Sequence, residues 1–329
     1  MKKALTGILA AMIAACALTA CATAPAATPA APAASEAAPA ASEAAPAASE
    51  AAPAEAAASA EAPAEAAPAE APAAQIATAS AGKLTIGTSP DFAPYEFYHI
   101  GADGTPELAG FDIALGKKIA EEMGLTAEFV PIAFDSILLE LQSGNIDLGI
   151  SGFSPSPERA QQFGFSDIYY TGGQSFVILD ANKDKFTSYD IFNNEHLPVG
   201  AQTGSIQMGL AEENTPDANI VGLEKVTDII NELLNGKLDG AFIETAVALQ
   251  YQKNYPELNV IWEVPYDSEG SAVAVKQGNK ELLDAVNAVI AKITADGTME
   301  AYITEAQTLA EEAGNTYEGF LDESGKIAQ

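Results

Sequence analysis

Short apolar runs alternate with amphipathic stretches from residue 84 onward. In the amphipathic stretches the apolar residues recur at the three- and four-residue spacing of a helix, and the runs between them have the length of strands. The pattern predicts strands at residues 84–86, 129–130 and 146–150 and helices at 112–123 and 135–141, with Asp135 capping the second helix and Gly144 ending it. This β-α-β-α-β series predicts a parallel sheet with ligands at the carboxyl ends of its strands.

A second series of the same kind begins near residue 175. Its predicted strands are 176–179, 199–201, 220–221 and 240–243, and its predicted helices are 206–213, 226–234 and 245–253. Glycine-containing segments flank it, Gly172-Gly173 before and residues 268–271 after. We therefore expect an α/β fold of two lobes, each a parallel-rich sheet flanked by helices and joined by a hinge of two crossings. Lobe 1 comprises residues 83–173 and 272–306, and lobe 2 comprises residues 174–271.

The first twenty residues have the layout of a secretory signal. Lys2 and Lys3 precede an apolar run at residues 4–18 that is too short to span a membrane. Residues 18–21, Leu-Thr-Ala-Cys, resemble the bacterial lipobox, in which the cysteine becomes the lipidated first residue of the mature chain. Residues 13–16 fit the lipobox more loosely and leave a shorter apolar core, so Cys21 is the predicted lipidation site. Cys16 and Cys21 are the only cysteines, so the globular part has no disulfide.

Residues 22–82 consist almost wholly of Ala, Pro, Glu, Ser and Thr. A seven-residue unit is repeated there, but it carries a proline and no large apolar residue, which excludes a coiled coil. The composition is typical of a disordered tether between the anchor and the globular part. Residues 307–329 are predicted to form a C-terminal tail.

The overall charge balance is acidic. The net charge is −31, and after the signal and the tether are set aside the remainder holds 39 acidic against 13 basic residues. Nucleic acid is therefore an unsuitable partner. The two histidines, His99 and His196, have no metal-ligand spacing, and no phosphate-binding loop is present, so no metal or other cofactor is expected.

Arg159 is the only arginine, whereas cations elsewhere are lysines. It follows the predicted strand 146–150 at the end of the turn Ser-Gly-Phe-Ser-Pro-Ser-Pro-Glu-Arg, residues 151–159. A planar guanidinium donates two parallel hydrogen bonds to a carboxylate, which an ammonium cannot do. The lone arginine therefore indicates a carboxylate-binding site, with a surface position as the alternative.

Several segments together resemble one family. They are Gly-Thr-Ser-Pro-Asp-Phe-Ala-Pro-Tyr-Glu-Phe at 87–97, Gly-Phe-Asp-Ile at 110–113, Phe-Asp at 134–135, the Arg159 turn, and Phe-Ser-Asp-Ile-Tyr-Tyr at 165–170. Their order and spacing resemble the polar amino-acid family, family 3, of bacterial extracellular solute-binding proteins. The resemblance covers residues 83 to about 306. Ala114 departs from the family pattern, which usually has an acid there.

The resemblance implies a binding site for an amino acid. Arg159 would bind the ligand carboxylate with help from Ser151, Gly152 and Ser154, and Glu244, where the family more often has Asp, would accept the ammonium. Further implied contacts are the rings of Phe92 and Phe134 around the ligand side chain and the backbone N–H groups of Ser205, Ile206 and Gln207 at a helix N-terminus. Phe92 and Phe134 could equally be ordinary core residues.

Ser89 bears on specificity, because cation-binding relatives often have Asp at this position. Asp91 could substitute for that acid, or it could be a solvated acid at the cleft rim. Neutral polar and cationic amino acids are both compatible with this pattern.

Three classes of function fit the resemblance. The favoured one is a monomeric, extracytoplasmic lipoprotein held at the bacterial membrane by palmitate-type acyl chains. It would capture a polar amino acid by hinge closure and pass it to the permease and ATPase subunits of an ABC importer. The alternatives are an amino-acid sensor subunit for a membrane partner and a cyclohexadienyl dehydratase-like enzyme, which needs a general acid such as Glu244 or Asp91 in the cleft.

Overall fold

The computed structural model describes residues 76–268 and 270–313. The predicted signal, the predicted lipidation site Cys21, most of the predicted tether and residues 314–329 lie outside the described residues. Two five-stranded sheets and one three-stranded sheet organise the described part of the chain.

Lobe 1 is built on a sheet in the order β5-β1-β6-β13-β7. Strand β1 is parallel to β5 and β6, whereas β13 is antiparallel to both of its neighbours. Helices α1, α2 and α8 pack against this sheet, and α9 packs on α1 and α8. The strands of this sheet are β1 (Lys83–Thr88), β5 (Thr126–Pro131), β6 (Leu148–Gly149), β7 (Phe163–Phe165) and β13 (Ala274–Lys276). The helices are α1 (Phe111–Glu122), α2 (Phe134–Ser143), α3 (Pro157–Ala160), α8 (Lys280–Ala295) and α9 (Thr298–Ala313).

A small antiparallel sheet follows β1 in the chain. It consists of β2 (Asp91–Phe92), β3 (Glu96–Ile100) and β4 (Pro106–Ala109), in that order. Helix α1 begins directly after it, and α9 packs on β3.

Lobe 2 is built on a sheet in the order β10-β9-β11-β8-β12. Strand β9 is parallel to β10 and β11, and β8 is antiparallel to β11 and β12. Its strands are β8 (Gln174–Leu179), β9 (Pro198–Gln202), β10 (Asn219–Leu223), β11 (Gly240–Glu244) and β12 (Leu258–Val264). Its helices are α4 (Tyr189–Glu195), α5 (Ile206–Asn214), α6 (Val226–Leu234) and α7 (Thr245–Asn254).

Helix α6 shows how the apolar pattern determines packing. Val226, Ile229, Ile230 and Leu233 recur at helical spacing, and all four are buried. Helix α2 ends as predicted, because Gly144 adopts the left-handed conformation with φ 79°. Its predicted start is wrong: Ala133 is the N-cap, and Asp135 lies inside the first turn without capping.

Two chain crossings connect the lobes, and they lie side by side. The Ser271 N–H donates to the Tyr170 carbonyl at 2.8 Å, and the Tyr169 N–H donates to the Ser271 carbonyl at 3.0 Å. Gly270 has φ 149°, and a Cβ atom there would lie 2.1 Å from the Tyr170 carbonyl oxygen. The close pairing of the crossings therefore requires a glycine at this position.

The ends of the described segment are attached to lobe 1. Ile76 packs against the core, and the Ala79 N–H donates to Asp147 Oδ1 at 2.7 Å. The globular part therefore begins before residue 83, where the predicted tether was expected to end. Helix α9 continues to Ala313, which places residues 307–313 in a helix although they were predicted to belong to the tail. Within residues 76–313, apart from 269, no helix is long and apolar enough to cross a bilayer.

Candidate functional site

A narrow cleft lies between the lobes. Lobe 1 contributes residues that follow β1 and β6, and lobe 2 contributes the end of β9 and the start of α5, as expected for the carboxyl ends of parallel strands. The lining consists of Ser89, Phe92, Phe134, Ser151, Gly152, Ser154 and Arg159 from lobe 1 and Gln202, Ile206 and Gln207 from lobe 2. The structure thus brings most of the predicted site residues together; Ser205 and Glu244 do not line the cleft.

Arg159 occupies the short helix α3 and reaches across the cleft. Its Nη1 donates to the Ser154 carbonyl and its Nη2 to the Gly204 carbonyl of lobe 2, both at 2.9 Å. The guanidinium carbon lies 5.6 Å from the centre of the Phe153 ring. Burial lowers the pKa of Arg159 to about 10, so the side chain remains charged at neutral pH.

No carboxylate of the described residues forms an ion pair with Arg159. A guanidinium carries five N–H donors, and the two carbonyls use only two of them. A largely buried cation without a counter-ion is costly, which makes it a strong binding group for an anionic ligand.

The turn after β6 is held by two buried acids that sequence reasoning did not single out. The Ser151 hydroxyl donates to Glu96 Oε1, and the Gly152 N–H donates to Asp112 Oδ2 at 2.9 Å. The Tyr169 hydroxyl also donates to Asp112 Oδ2, at 3.0 Å. The Ser151 and Gly152 hydrogens are therefore already used in this structure, and neither is available to the ligand carboxylate as the resemblance implied.

Glu96 and Asp112 form a coupled pair. Both are fully buried, and Glu96 Oε2 and Asp112 Oδ1 have no other hydrogen-bond partner among the described residues. Burial, followed by repulsion from Asp112, raises the pKa of Glu96 well above its usual range, and burial raises that of Asp112 to about 7. A proton on Glu96 shared with Asp112 satisfies both oxygens and leaves Glu96 Oε1 free to accept from Ser151.

The N-terminus of α5 faces the cleft from lobe 2. Ser205 is its N-cap: the Ser205 hydroxyl accepts from the Met208 N–H at 3.4 Å and donates to the Gln202 carbonyl at 2.7 Å. Ile206 and Gln207 line the cleft in the first turn, where backbone N–H groups have no acceptor within the helix. The α5 N-terminus is thus suited to an anion, and Ser205 stabilises the first turn as its N-cap.

Phe92 and Phe134 serve both the core and the cleft. Each is 8% exposed. The Phe134 ring stacks on Phe153 at 4.7 Å between centroids, and the Phe92 ring lies 5.1 Å from Tyr95. Each ring therefore has one side fixed by packing while another part borders the cleft.

Glu244 is not among the residues that line the cleft in this structure. It is the N-cap of α7, and its Oε2 accepts from the Val247 N–H at 2.9 Å. Its Oε1 lies beside the hinge, 2.6 Å from where a Cβ atom on Gly172 would be. Burial raises the pKa of Glu244 to about 7. The N–H groups at the start of α7 compete for this carboxylate, so the structure does not place it as an acceptor for a ligand ammonium.

Asp91 is not a solvated acid at the rim. It is 4% exposed, and burial raises its pKa to about 6. Asp91 Oδ1 accepts the Ser89 hydroxyl at 2.8 Å, and Oδ2 accepts the N–H of Val226, the first residue of α6, at 2.5 Å. This acid therefore links a cleft residue of lobe 1 to a helix of lobe 2.

Sequence reasoning also missed Gln202. It ends β9 immediately before the Thr203-Gly204 turn, and its amide Nε2 donates to the Glu224 carbonyl at 3.0 Å. A polar residue that ends a buried parallel strand was the available signal.

Comparison with known proteins agrees with this geometry. Residues 84–305 match the sequence profile of the bacterial extracellular solute-binding proteins, family 3. The ABC transporter arginine-binding protein 1 of Escherichia coli (strain K12) is 31% identical over 226 residues, which are 68% of this chain and 89% of that protein.

Two solved proteins have a similar fold. The amino acid ABC transporter substrate-binding protein AbpA from Streptococcus pneumoniae, bound to L-arginine, has a TM-score of 0.66 and 34% identity, covering 70% of this chain and 96% of its own. An ancestral arginine-binding protein was solved with arginine and with glutamine; each structure has a TM-score of 0.62 and 32% identity. These structures cover 68% and 69% of this chain and 97% and 98% of their own, respectively.

Proposed function

The chain belongs to family 3 of the bacterial extracellular solute-binding proteins, and we propose that it captures an amino acid between its lobes and delivers it to an ABC importer. The observation that carries this proposal is Arg159, a largely buried cation that faces an interlobe cleft and has no carboxylate partner within the described part of the chain. The ligand carboxylate is the counter-ion that this cation lacks.

The proposed binding mode couples ligand capture to closure. The ligand carboxylate meets Arg159 from lobe 1 and the N–H groups of Ile206 and Gln207 from lobe 2. Because both sets of donors reach the same group only when the lobes are close together, the ligand stabilises the closed arrangement over an open one. The paired crossings at Tyr170 and Ser271 provide the hinge.

We propose L-arginine and L-glutamine as the first candidate ligands. Relatives named as arginine-binding proteins favour the first, and the ancestral arginine-binding protein was also solved with glutamine. No acidic side chain of the described residues lines the cleft, so its polar lining suits a neutral amide as well as a cation.

A thermal-shift screen of the full-length protein with the common amino acids tests this function. A ligand at 100 times its dissociation constant stabilises the folded state by about 2.7 kcal/mol, which gives a clear rise in Tm. We expect a rise with arginine or glutamine and none when the same amino acid is added to Arg159→Ala. A screen without any shift would contradict the proposal.

We propose that the protein is a binding protein and not an enzyme. The similar proteins named above are binding proteins. Neither Glu244 nor Asp91 lines the cleft; Glu244 is engaged at α7 and Asp91 at Ser89 and Val226, so neither acid of the described residues is positioned to protonate a ligand.

We also propose that Cys21 carries the lipid anchor. The argument rests on the sequence, in which a short apolar run ends at Leu-Thr-Ala-Cys and a long proline-containing tether follows. More than one acyl chain is needed for stable attachment, and the lipobox resemblance implies such multiple acylation.

Replacing Cys21 by serine should release the protein from the membrane fraction or leave its precursor unprocessed, because the acyl acceptor is lost. Immunoblots of membrane and soluble fractions measure the outcome. Cys16→Ser is the matched control and should remain membrane-bound and processed. Mature, membrane-bound Cys21→Ser protein would refute this assignment.

A further inference from the structure

We propose that Asp91 turns Ser89 into a hydrogen-bond acceptor toward the cleft, so that the site selects amino acids whose side chains end in an N–H donor. The selected ligands carry an amide or a guanidinium, and acidic amino acids are rejected. This inference rests on the proposed function and assigns a specificity-determining role to two residues of the same site.

The hydroxyl of Ser89 has only one hydrogen, and the structure shows where it goes. Ser89 lines the cleft, and its Oγ donates to Asp91 Oδ1 at 2.8 Å. A serine that donates its hydrogen to a buried neighbour has only oxygen lone pairs left for a ligand. Ser89 therefore offers an acceptor to the cleft and no donor.

Asp91 is held in the orientation that this requires. Its second oxygen accepts the Val226 N–H at 2.5 Å, at the positive end of the α6 dipole, and Lys225 further favours the charged form. Since the pKa is raised only to about 6, the group is ionised at pH 8 and can only accept hydrogen bonds. The hydrogen between Ser89 and Asp91 must then come from Ser89.

Ser151, which adjoins Ser89, also has no hydroxyl hydrogen left for a ligand. Its hydroxyl hydrogen goes to Glu96, and its Oγ also accepts the Ser89 N–H at 3.2 Å. Ser89 lies on the segment that carries Phe92, and both of these residues line the cleft. A side-chain carboxylate directed at Ser89 would face lone pairs and would be left unpaired.

Asp91→Asn reverses the direction of the hydrogen bond between residues 89 and 91. The Val226 N–H requires an acceptor, so the amide oxygen of the new residue takes the place of Oδ2, and its NH₂ group faces Ser89. Ser89 must then accept from the amide and turn its own hydrogen into the cleft. We expect the affinity for L-glutamine or L-arginine to fall at least tenfold, and the preference for L-glutamine over L-glutamate to fall at least tenfold.

Calorimetry at pH 8 on the full-length protein, with L-arginine, L-glutamine and L-glutamate, provides the test. Glutamine and glutamate differ at the side-chain terminus, so their affinity ratio cancels any general effect of Asp91 on lobe closure. Ser89→Ala is the second variant: it removes the acceptor and should lower the same ratio. In the Ser89→Ala background, Asp91→Asn should change the ratio no further.

The outcomes separate this inference from the proposed function. An unchanged ratio of glutamine affinity to glutamate affinity in both Asp91→Asn and Ser89→Ala would overturn this inference and leave the proposed amino-acid binding intact. Equal wild-type affinity for glutamine and glutamate would also overturn it. A wild-type protein that binds no amino acid would overturn the proposed function and this inference together.

Discussion

Replacing Arg159 by lysine should weaken amino-acid binding at least tenfold, or about 1.4 kcal/mol. Lysine keeps the charge but loses the planar fork that contacts a carboxylate through two parallel N–H groups. It also loses the rigid guanidinium that bridges the Ser154 and Gly204 carbonyls across the cleft. Arg159→Ala removes the cation as well and should cost about 2 to 5 kcal/mol of binding free energy.

Isothermal titration calorimetry with the amino acid found in the thermal screen measures this loss. Lys237→Arg is the matched control, because it makes the reverse exchange of cation at an exposed ion pair with Glu232, where affinity should not change. Circular dichroism checks that each variant is folded. Equal affinity in Arg159→Lys and wild type would mean that the carboxylate is bound elsewhere.

Replacing Gly270 by alanine should lower the free energy of unfolding by about 3 kcal/mol. The backbone there has φ 149°, and the new Cβ atom would lie 2.1 Å from the Tyr170 carbonyl oxygen, against backbone that cannot move like a side chain. Relieving the overlap would separate the two crossings and break the hydrogen bonds of Ser271 with Tyr169 and Tyr170.

Gly278→Ala distinguishes the cost of a positive φ from the cost of a steric overlap. Gly278 also has a positive φ, of 85°, but no atom lies within 4 Å of the added Cβ, so we expect a loss of only about 1 kcal/mol. Urea unfolding followed by far-UV circular dichroism gives both values. Trp262, the only tryptophan, stacks on Phe176 and supplies a fluorescence probe within lobe 2. Equal losses in the two variants would show that the paired crossings tolerate a side chain.

Much of the fold could be predicted from the apolar pattern, and the remainder fails for identifiable reasons. Helix α6 was predicted with its observed bounds because its apolar face is regular. The small sheet β2-β3-β4 was missed because strands of two to five residues around Pro94 give no sustained alternation. Strand direction was also beyond the pattern: β8 has the apolar run of a parallel strand but is antiparallel to both neighbours.

The candidate site was predictable in position but not in hydrogen-bond direction. Arg159 and the turn before it follow a buried strand, which the sequence shows directly. Sequence does not show which acceptor a hydroxyl will choose, and Ser151 donates to the buried Glu96. Glu244 does not take up its predicted role as acceptor of the ligand ammonium for a similar reason: the α7 N-terminus offers its carboxylate an N–H partner three residues away.

The position of β13 determines the order in which a newly made chain can complete its lobes. The sheet of lobe 2 uses only residues 174–264, a continuous segment. The sheet of lobe 1 needs residues 274–276 between β6 and β7, in its interior and not at its edge. During synthesis from the N-terminus, β6 and β7 therefore lack their shared neighbour until almost the whole domain has emerged, and the half of the molecule that carries Arg159 is the last to mature.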